Sequence, residues 1–359
     1  MRKFVCSVYV LLYLGHVATG QIIKKSDATS LEKYNVDPDS ITVSGFASGG
    51  SFATQFHFSY SSLIKGAGIF AGYGPYLCGY EGVESMLSCI RDPNLVNMAN
   101  LLQMVDNFSS SHKIDDITNL NGSRAYVIGG TRNLVVNQGS LRLLSGMYKH
   151  FGANVLDQFS IPVGHGIPVN NGRGAVCSAI APWSTGYLNE CGLNSVFQML
   201  NWLYGGTLAT PRAGIQMTGR LIPFPQSDFI KGSAHEISRA MGGNGHIYVP
   251  IACLPENRVT CRLHVVFREC SVGPDPLKRF EEEQKLIAQY AEVADLNNII
   301  MLHPSLELML VPTFMAPGKQ QYNDCWDSFG FTGQSNYATK DGAQASVVYR
   351  MIQRVLGEF

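Results

Sequence analysis

Short apolar, β-branched runs alternate along the chain with longer segments whose apolar residues recur at helical spacing. The runs predict strands at Ile41–Val43, Gly68–Phe70, Ala125–Ile128, Asn154–Ile161, Leu263–Phe267 and Asn298–Leu302. The longer segments predict helices at Ser51–Ile64, Asn194–Leu203, Leu277–Val293 and Gly342–Leu356. This alternation is typical of an α/β fold with a mostly parallel central sheet flanked by helices.

The first twenty residues differ from the rest. Arg2 and Lys3 precede an apolar run from Phe4 to Leu14, and small residues follow up to Gly20. The run is too short to span a bilayer of about 30 Å at about 1.5 Å per residue. We therefore predict a cleaved secretory signal peptide over residues 1–20, the alternative being a buried N-terminal helix.

Residues 21–359 show no internal repeat, low-complexity tract or polar linker, and they predict a single domain. The Gly- and Pro-rich stretch Gly205–Gly245 is interpreted as a long excursion from that domain, although its length leaves a separate small lobe open.

Composition excludes several classes of protein. The chain has 359 residues, is 45% hydrophobic and 15% charged, and carries 27 basic and 27 acidic residues. Such a chain buries a large core and is not disordered. Without a basic excess it lacks the usual driving force for nucleic-acid binding, and no membrane span follows the first twenty residues.

Cysteine usage supports secretion. Cys6 lies in the predicted signal peptide, and the remaining eight form an even set. Sequence alone does not choose among the pairings, but local spacing favours the sequential one: Cys78 with Cys89, Cys177 with Cys191, Cys253 with Cys261, and Cys270 with Cys325.

The sequence gives no reason to expect a metal or cofactor, because no cysteine or histidine cluster has zinc-site spacing. Two sequons, at Asn107 and Asn121, predict an extracellular glycoprotein, although such tripeptides also occur by chance.

The sharpest local feature is a strand, a tight Gly-bracketed turn and a helix within Ile41–Ala53. This is the pattern of a nucleophile elbow, but the pentapeptide Gly45–Gly49 has Ala47 at its centre, and alanine has no hydroxyl to attack a carbonyl. Ser48 as nucleophile would move the frame and put Phe46 where the turn requires glycine. The alternative is an ordinary Gly-rich turn or a phosphate-binding loop, although no lysine follows as in a P-loop.

Many motifs, in order, resemble those of secreted poly(3-hydroxybutyrate) (PHB) depolymerases with a circularly permuted catalytic domain. They are Ser44–Gly50, Gly68–Cys78, Gly130–Val136, Gly164–Pro168, Asn189–Gly192, Leu221–Phe229, Tyr248–Pro250, Cys261–Phe267, Ala294–Ile300, Cys325–Asp327 and Tyr337–Ala343. Together they span nearly all of residues 21–359.

The resemblance implies a circularly permuted, disulfide-stapled α/β-hydrolase fold and hydrolysis of short-chain hydroxyacid polyesters by a Ser, Asp and His triad. The strand bearing the oxyanion-hole segment then follows the elbow, at Leu263–Cys270. Position by position, the roles fall on Ala47 (nucleophile), Asn133 (acid), His165 (base), and Ser48 and Cys270 (oxyanion-hole N–H groups). His165 is either a working base or a partly buried histidine hydrogen-bonded to Asn133. The resemblance also implies that Trp326 and Phe329 lie near the substrate cleft, where they could bind an apolar ligand, the alternative being that they are core residues.

Three departures from the family pattern predict lost chemistry. Ala47 removes the nucleophile. Asn133 in place of the acid can hold His165 in the wrong tautomer and cannot stabilise an imidazolium. Glu269 stands where the family has glycine and would oppose an oxyanion.

The leading hypothesis is a secreted, impaired homologue, leaning away from enzyme activity, that binds a small apolar ester or hydroxyacid oligomer or an unidentified protein partner. The alternatives are a weak esterase using Ser48 and His165, and a structural protein.

Overall fold

The computed structural model describes residues 28–179, 186–212, 216–231, 241–270, 276–307, 309–312 and 320–359. The predicted signal peptide lies outside these ranges. Within them, none of the helices has the length and apolar character needed to cross a membrane.

An eight-stranded sheet forms the centre of the fold. Its strands are β1 (Thr42–Phe46), β2 (Gly66–Phe70), β3 (Arg124–Ile128), β4 (Asn154–Gln158), β8 (Arg220–Pro225), β9 (Asn244–Val249), β10 (Arg262–Phe267) and β11 (Ile299–His303), in the spatial order β4-β3-β2-β1-β10-β11-β9-β8. The strands from β4 to β11 in that order pair in parallel. β1 and β10 are neighbours although they are far apart in sequence, which is the arrangement of a circularly permuted α/β-hydrolase fold.

At one edge of the sheet, β9 and β8 pair antiparallel with their neighbours. β8 lies within the excursion Gly205–Gly245, and the described part of that excursion contributes an edge strand to the main sheet. Sequence patterning missed β8 because Pro223 and Pro225 argue against a strand. An edge position tolerates them, and the Pro223 carbonyl accepts a hydrogen bond at 3.0 Å from the Thr29 N–H.

Two small sheets complete the described strands. One contains β5 (Ile167–Val169), β6 (Ala175–Val176) and β7 (Leu188–Glu190), and the other contains β12 (Met309–Pro312) and β13 (Gln320–Asn323).

Helices cover both faces of the main sheet. The described ones are α1 (Ser48–Ser59), α2 (Val83–Arg91), α3 (Met98–Ser110), α4 (Gln138–His150), α5 (Ser195–Leu203), α6 (Pro276–Asn297) and α7 (Ala343–Leu356). α1 contacts β1, β2 and β10, and α6 contacts β11. Every residue of β1 and β2 is therefore buried, which explains why these parallel strands carry no alternating polar pattern.

Helices α2, α3 and α4 were not among the predicted elements. Two of them begin at asparagine caps: Asn97 Oδ1 accepts from the Asn100 N–H, and Asn137 Oδ1 accepts from the Gly139 N–H. The predicted helix Ser51–Ile64 is shifted, because α1 begins directly after Ala47 and ends at Ser59.

The sequential disulfide pairing is confirmed. Cys78 is bonded to Cys89, Cys177 to Cys191, Cys253 to Cys261, and Cys270 to Cys325. The first three close short loops. The last joins the segment after β10 to the segment after β13.

Candidate functional site

The residues predicted for the elbow, the base, the acid and the oxyanion hole follow strands of the main sheet at their carboxyl ends. Ala47 lies between β1 and α1, with φ 50° and ψ −110°, a conformation that L-residues rarely adopt. The flanking glycines are required by close backbone approach: a Cβ on Gly45 would lie 2.1 Å from the Gly49 carbonyl oxygen. The chain thus keeps the backbone of a nucleophile elbow around a residue that has no nucleophile.

His165 contacts Asn133, as the resemblance implied. His165 is fully buried in the loop between β4 and β5, and its Nδ1 lies 3.3 Å from Asn133 Oδ1 in the loop after β3. Phe46 packs against the imidazole, with 4.8 Å between the ring centroids.

The amide orientation of Asn133 corrects the expected tautomer. Asn133 Oδ1 also accepts hydrogen bonds from the Val135 and Val136 backbone N–H groups, at 3.0 and 3.1 Å. A flipped amide would present its NH₂ group to those two donors, so the oxygen is fixed toward His165. His165 therefore carries its proton on Nδ1, as it would beside a carboxylate. What Asn133 removes is the negative charge, and its buried Nδ2 has no partner among the described residues.

The second ring nitrogen of His165 faces Glu269. Nε2 lies 3.2 Å from Glu269 Oε1, and the Glu269 side chain is only 8% exposed. In a triad the corresponding nitrogen faces the nucleophile. Glu269 thus takes the place of the nucleophile next to the nitrogen through which His165 would act as a base. From sequence, only an electrostatic opposition between Glu269 and an oxyanion was predicted.

The Cys270 N–H, one of the two expected oxyanion-hole donors, has a partner within the protein: it donates to Ser48 Oγ at 3.2 Å. Tyr73 lies near this pair. Burial raises the pKa of the Tyr73 phenol well above its usual range, the Glu269 carboxylate adds to the rise, and the interaction with Ser48 opposes it. The Tyr73 phenol is therefore neutral.

Ser48 is poorly placed to act as the nucleophile. Ser48 is 1% exposed, and its hydroxyl oxygen accepts a hydrogen bond from the Cys270 N–H. Both ring nitrogens of His165 lie within hydrogen-bond distance of other groups, Asn133 and Glu269.

A buried ion pair supports the Glu269 segment. Arg268 Nη2 donates to Asp324 Oδ2 at 2.6 Å, and Nη1 donates to the Glu269 backbone oxygen at 2.9 Å. Burial alone would lower the pKa of Arg268, but the charge and hydrogen bond of Asp324, together with Tyr187 and Glu283, outweigh burial and raise the pKa. The guanidinium is thus committed to Asp324 and to the backbone.

The two predicted substrate-binding aromatics lie in the core. Trp326 is fully buried, stacked on Phe52 at 4.3 Å and edge-on to Phe267 at 4.9 Å. Phe329 is 8% exposed and packs against Phe331. In this conformation Trp326 presents no surface to a ligand, because it belongs to the packing between α1 and β10. A role for either residue in substrate binding stays a prediction.

Sequence reasoning missed two parts of the site, Tyr73 and the Arg268–Asp324 pair. Tyr73 lies inside the Gly68–Cys78 motif, but nothing in that motif signals where its phenol points. The departure from the family pattern at Arg268–Cys270 could have indicated an ion pair, because a buried arginine requires a carboxylate partner. Among the described residues, no group of three or more His, Cys, Asp or Glu side chains is arranged to hold a metal ion.

Comparison with known proteins gives two related sequences. The chain is 32% identical over 333 residues to a poly(3-hydroxybutyrate) depolymerase of Delftia acidovorans, covering 91% of this chain but 62% of that protein, less than two thirds of its length. It is 28% identical over 346 residues to a polyhydroxybutyrate depolymerase of Talaromyces funiculosus, covering 92% of this chain and 94% of that one. No protein-family model matches.

Two solved structures share the fold. The PHB depolymerase of Penicillium funiculosum aligns with a TM-score of 0.77 at 26% identity. A PHB depolymerase with one serine replaced by alanine, complexed with an R3HB trimer, aligns with a TM-score of 0.77 at 25% identity. Each alignment covers 92% of this chain and 100% of the other. Over about nine-tenths of its length, this chain is therefore similar in both sequence and fold to the PHB depolymerases.

Proposed function

We propose that this protein is a catalytically impaired relative of the PHB depolymerases, secreted from the cell, that binds a short hydroxyacid ester or oligomer without cleaving it. The observation that carries the proposal is Ala47 at the strained centre of an intact elbow. The scaffold that would present a serine hydroxyl is in place, and the hydroxyl is missing.

The size of the expected loss supports impairment. Removing the serine of a serine hydrolase lowers kcat by about 10⁶, or about 8 kcal/mol of barrier. The remaining groups do not replace it, because His165 contacts Glu269 and the Cys270 N–H, one of the expected oxyanion donors, hydrogen-bonds to Ser48 Oγ. Both a nucleophile and a free base would have to be supplied for acyl transfer.

Ligand binding is supported by a structural neighbour. That PHB depolymerase, with one serine replaced by alanine, is complexed with an R3HB trimer. Loss of a serine hydroxyl is thus compatible with an oligomer complex in this fold. A ligand carbonyl that reached the Cys270 N–H in this protein would have to displace Ser48 Oγ, so we expect weaker binding than in a chain where that donor is free.

Secretion and glycosylation form part of the proposal. Four disulfides suit an oxidising compartment. Both sequon asparagines are exposed, Asn107 on α3 and Asn121 just after a short 3-10 helix that ends at Leu120.

Hydrolysis of short-chain p-nitrophenyl esters and soluble 3-hydroxybutyrate oligomers tests the impairment. The purified, oxidised protein is assayed beside His165→Ala and the restored variant Ala47→Ser/Asn133→Asp/Glu269→Gly. We expect no turnover above the His165→Ala background from the wild type, and measurable turnover from the restored variant. His165-dependent turnover by the wild type would overturn the proposal and make Ser48 the next residue to substitute.

Binding is tested separately by calorimetric titration of the wild type with R3HB trimer. We expect saturable binding, and we compare it with binding by Tyr73→Phe, a variant that lacks the buried phenol oxygen near Ser48. Absence of heat with either protein would remove the ligand from the proposal and favour a purely structural role.

A further inference from the structure

We infer that a groove at the edge of the main sheet is a further binding site, which takes a small organic cation with an apolar body. The groove encloses about 580 Å³ between strands β8 and β9, the segment formed by residues 29–34 and the turn formed by residues 254–256. β8 lies four strands from β1 in the sheet, and the groove shares no lining residue with the site around Ala47. The inference therefore does not rest on the proposed function.

The floor of the groove is apolar. Six buried side chains line it: Leu31, Tyr34, Leu221, Phe224, Ile247 and Leu254. The volume lies in the range of about 300–1,000 Å³ that is usual for small-molecule sites, and such sites are lined mainly by apolar and aromatic side chains. The floor therefore suits the hydrocarbon part of a small ligand.

Hydrogen bonds and a disulfide hold the walls of the groove in place. The Thr29 N–H donates to the Pro223 carbonyl at 3.0 Å, which ties the N-terminal segment to β8. The turn lies inside the loop that the Cys253–Cys261 disulfide closes, and the Cys261 N–H donates to the Asn35 carbonyl at 2.8 Å. The groove is thus formed before a ligand arrives, which lowers the entropic cost of binding.

Three charged side chains at the exposed rim decide the sign of the ligand's charge. Glu32 and Glu256 carry carboxylates, Arg220 carries a guanidinium, and all three residues are exposed. None of the three has an ion-pair partner among the described residues. Lys33 does not line the groove, and its side chain lies beside Gly357. The rim is therefore negative overall and favours a cation.

The charge of Glu32 acts on the floor of the groove. Burial raises the pKa of the Tyr34 phenol to about 12, and the Glu32 carboxylate adds to the rise. The phenol is therefore neutral, and a carboxylate lies near an aromatic ring. Because aromatic faces attract cations, an ammonium group beside Tyr34 would be stabilised by the ring as well as by the carboxylate.

Calorimetric titration with probes that share an eight-carbon chain tests the sign of the charge. Octylammonium, octanol and octanoate are titrated at pH 7 into the mature, oxidised protein. We expect octylammonium to bind at least about 5-fold more tightly than octanoate, with octanol between them, because charges at an exposed rim change affinity by a small factor. Octanoate binding as tightly as octylammonium, or no saturable binding of octylammonium, would overturn the inference.

A shorter probe tests the apolar floor. Butylammonium has the same head group as octylammonium but buries four fewer methylene groups, so it should bind at least about 10-fold more weakly. Equal affinities for the two amines would show that the floor does not hold the hydrocarbon chain, and would refute the inference.

Substitutions at the rim locate the site. Glu32→Gln and Glu256→Gln should each weaken octylammonium binding by about 2–5-fold, and Arg220→Gln should strengthen it by a similar factor. Glu84→Gln, which removes an exposed carboxylate on α2, is the matched control and should leave the affinity unchanged. Equal effects of Glu32→Gln and Glu84→Gln would contradict this location. Binding that appeared only after removal of residues 21–27 would assign the groove to the chain's own N-terminal segment, which would also overturn the inference.

Discussion

The Arg268 guanidinium meets the Asp324 carboxylate at 2.6 Å, with side-chain exposures of 9% and 0%. This ion pair joins the segment after β10 to the segment after β13, the same two segments that Cys270 and Cys325 join covalently. Glu269 lies between the two links. The position of its carboxylate against His165 therefore depends on both.

Breaking this ion pair on one side should be costly. Asp324→Ala leaves a buried guanidinium without its carboxylate, and we expect a loss of about 3–5 kcal/mol in the free energy of unfolding. Arg268→Met/Asp324→Leu removes both charges and should lie within about 1 kcal/mol of the wild type. Urea denaturation measures both. If Asp324→Ala left the free energy of unfolding unchanged, water would already solvate the pair.

The disulfides should differ in their contributions to stability. Cys270 and Cys325 are 55 residues apart, and Cys253 and Cys261 are 8 apart. The chain-entropy relation gives about 4 kcal/mol for the first and about 2.5 kcal/mol for the second. Replacing each pair by serines and comparing unfolding midpoints checks the order. A larger loss from the short loop would show that native-state effects dominate.

Two Gly→Ala substitutions should change the stability of the protein in opposite directions. A Cβ on Gly49 would lie 2.1 Å from the Phe267 carbonyl oxygen, so Gly49→Ala must displace backbone and should cost about 3 kcal/mol or more. Gly146 is exposed on α4 and a Cβ there meets nothing within 4 Å. Gly146→Ala should therefore stabilise the protein by about 0.5–1 kcal/mol. Thermal unfolding distinguishes the two variants. Equal shifts in their melting temperatures would contradict the argument that a Cβ at Gly49 is too close to the backbone.

Stability should fall on acidification below about pH 6.5. Burial lowers the pKa of His57, His264 and His303 from 6.5 to about 3, with charge repulsion from neighbouring histidines adding at the last two. Between these values the unfolded chain binds more protons than the folded one. Each histidine therefore contributes stability that is complete above pH 6.5 and is lost toward pH 3, at about 1.4 kcal/mol per pH unit.

Unfolding free energies at pH 4, 5, 6 and 7 measure this slope. His264→Gln should reduce the slope by one histidine's share, while exposed His150→Gln should leave it unchanged. Parallel curves for the wild type and His264→Gln would show that His264 does not contribute.

Much of the fold was readable because buried parallel strands are continuous apolar runs. Leu263–Phe267 predicted β10 to within one residue, and Asn298–Leu302 overlapped β11. β8 was not readable, because its prolines are acceptable only at an edge that the sequence does not identify. Helices such as α3 were missed because their starts depend on single asparagine caps.

The site was predicted by position but not by contact. The structure brings Asn133 against His165 and Phe46, the neighbour of Ala47, against the same imidazole. The link from His165 to Glu269 spans 104 residues and depends on how two loops converge. The amide orientation of Asn133 depends on the Val135 and Val136 N–H groups, which only the folded loop brings into range. Local sequence carries no record of such geometry.

The outer edge of β8 has a consequence for self-association. A residue's N–H and C=O point to the same side of a strand, and the Pro223 carbonyl faces outward to Thr29, so Pro223 places a missing donor on that side. A strand of another chain could not form a regular hydrogen-bond ladder along this edge, because Pro223 has no N–H and its carbonyl is already hydrogen-bonded. The same prolines that hid this strand from sequence patterning therefore protect the protein against edge-to-edge aggregation.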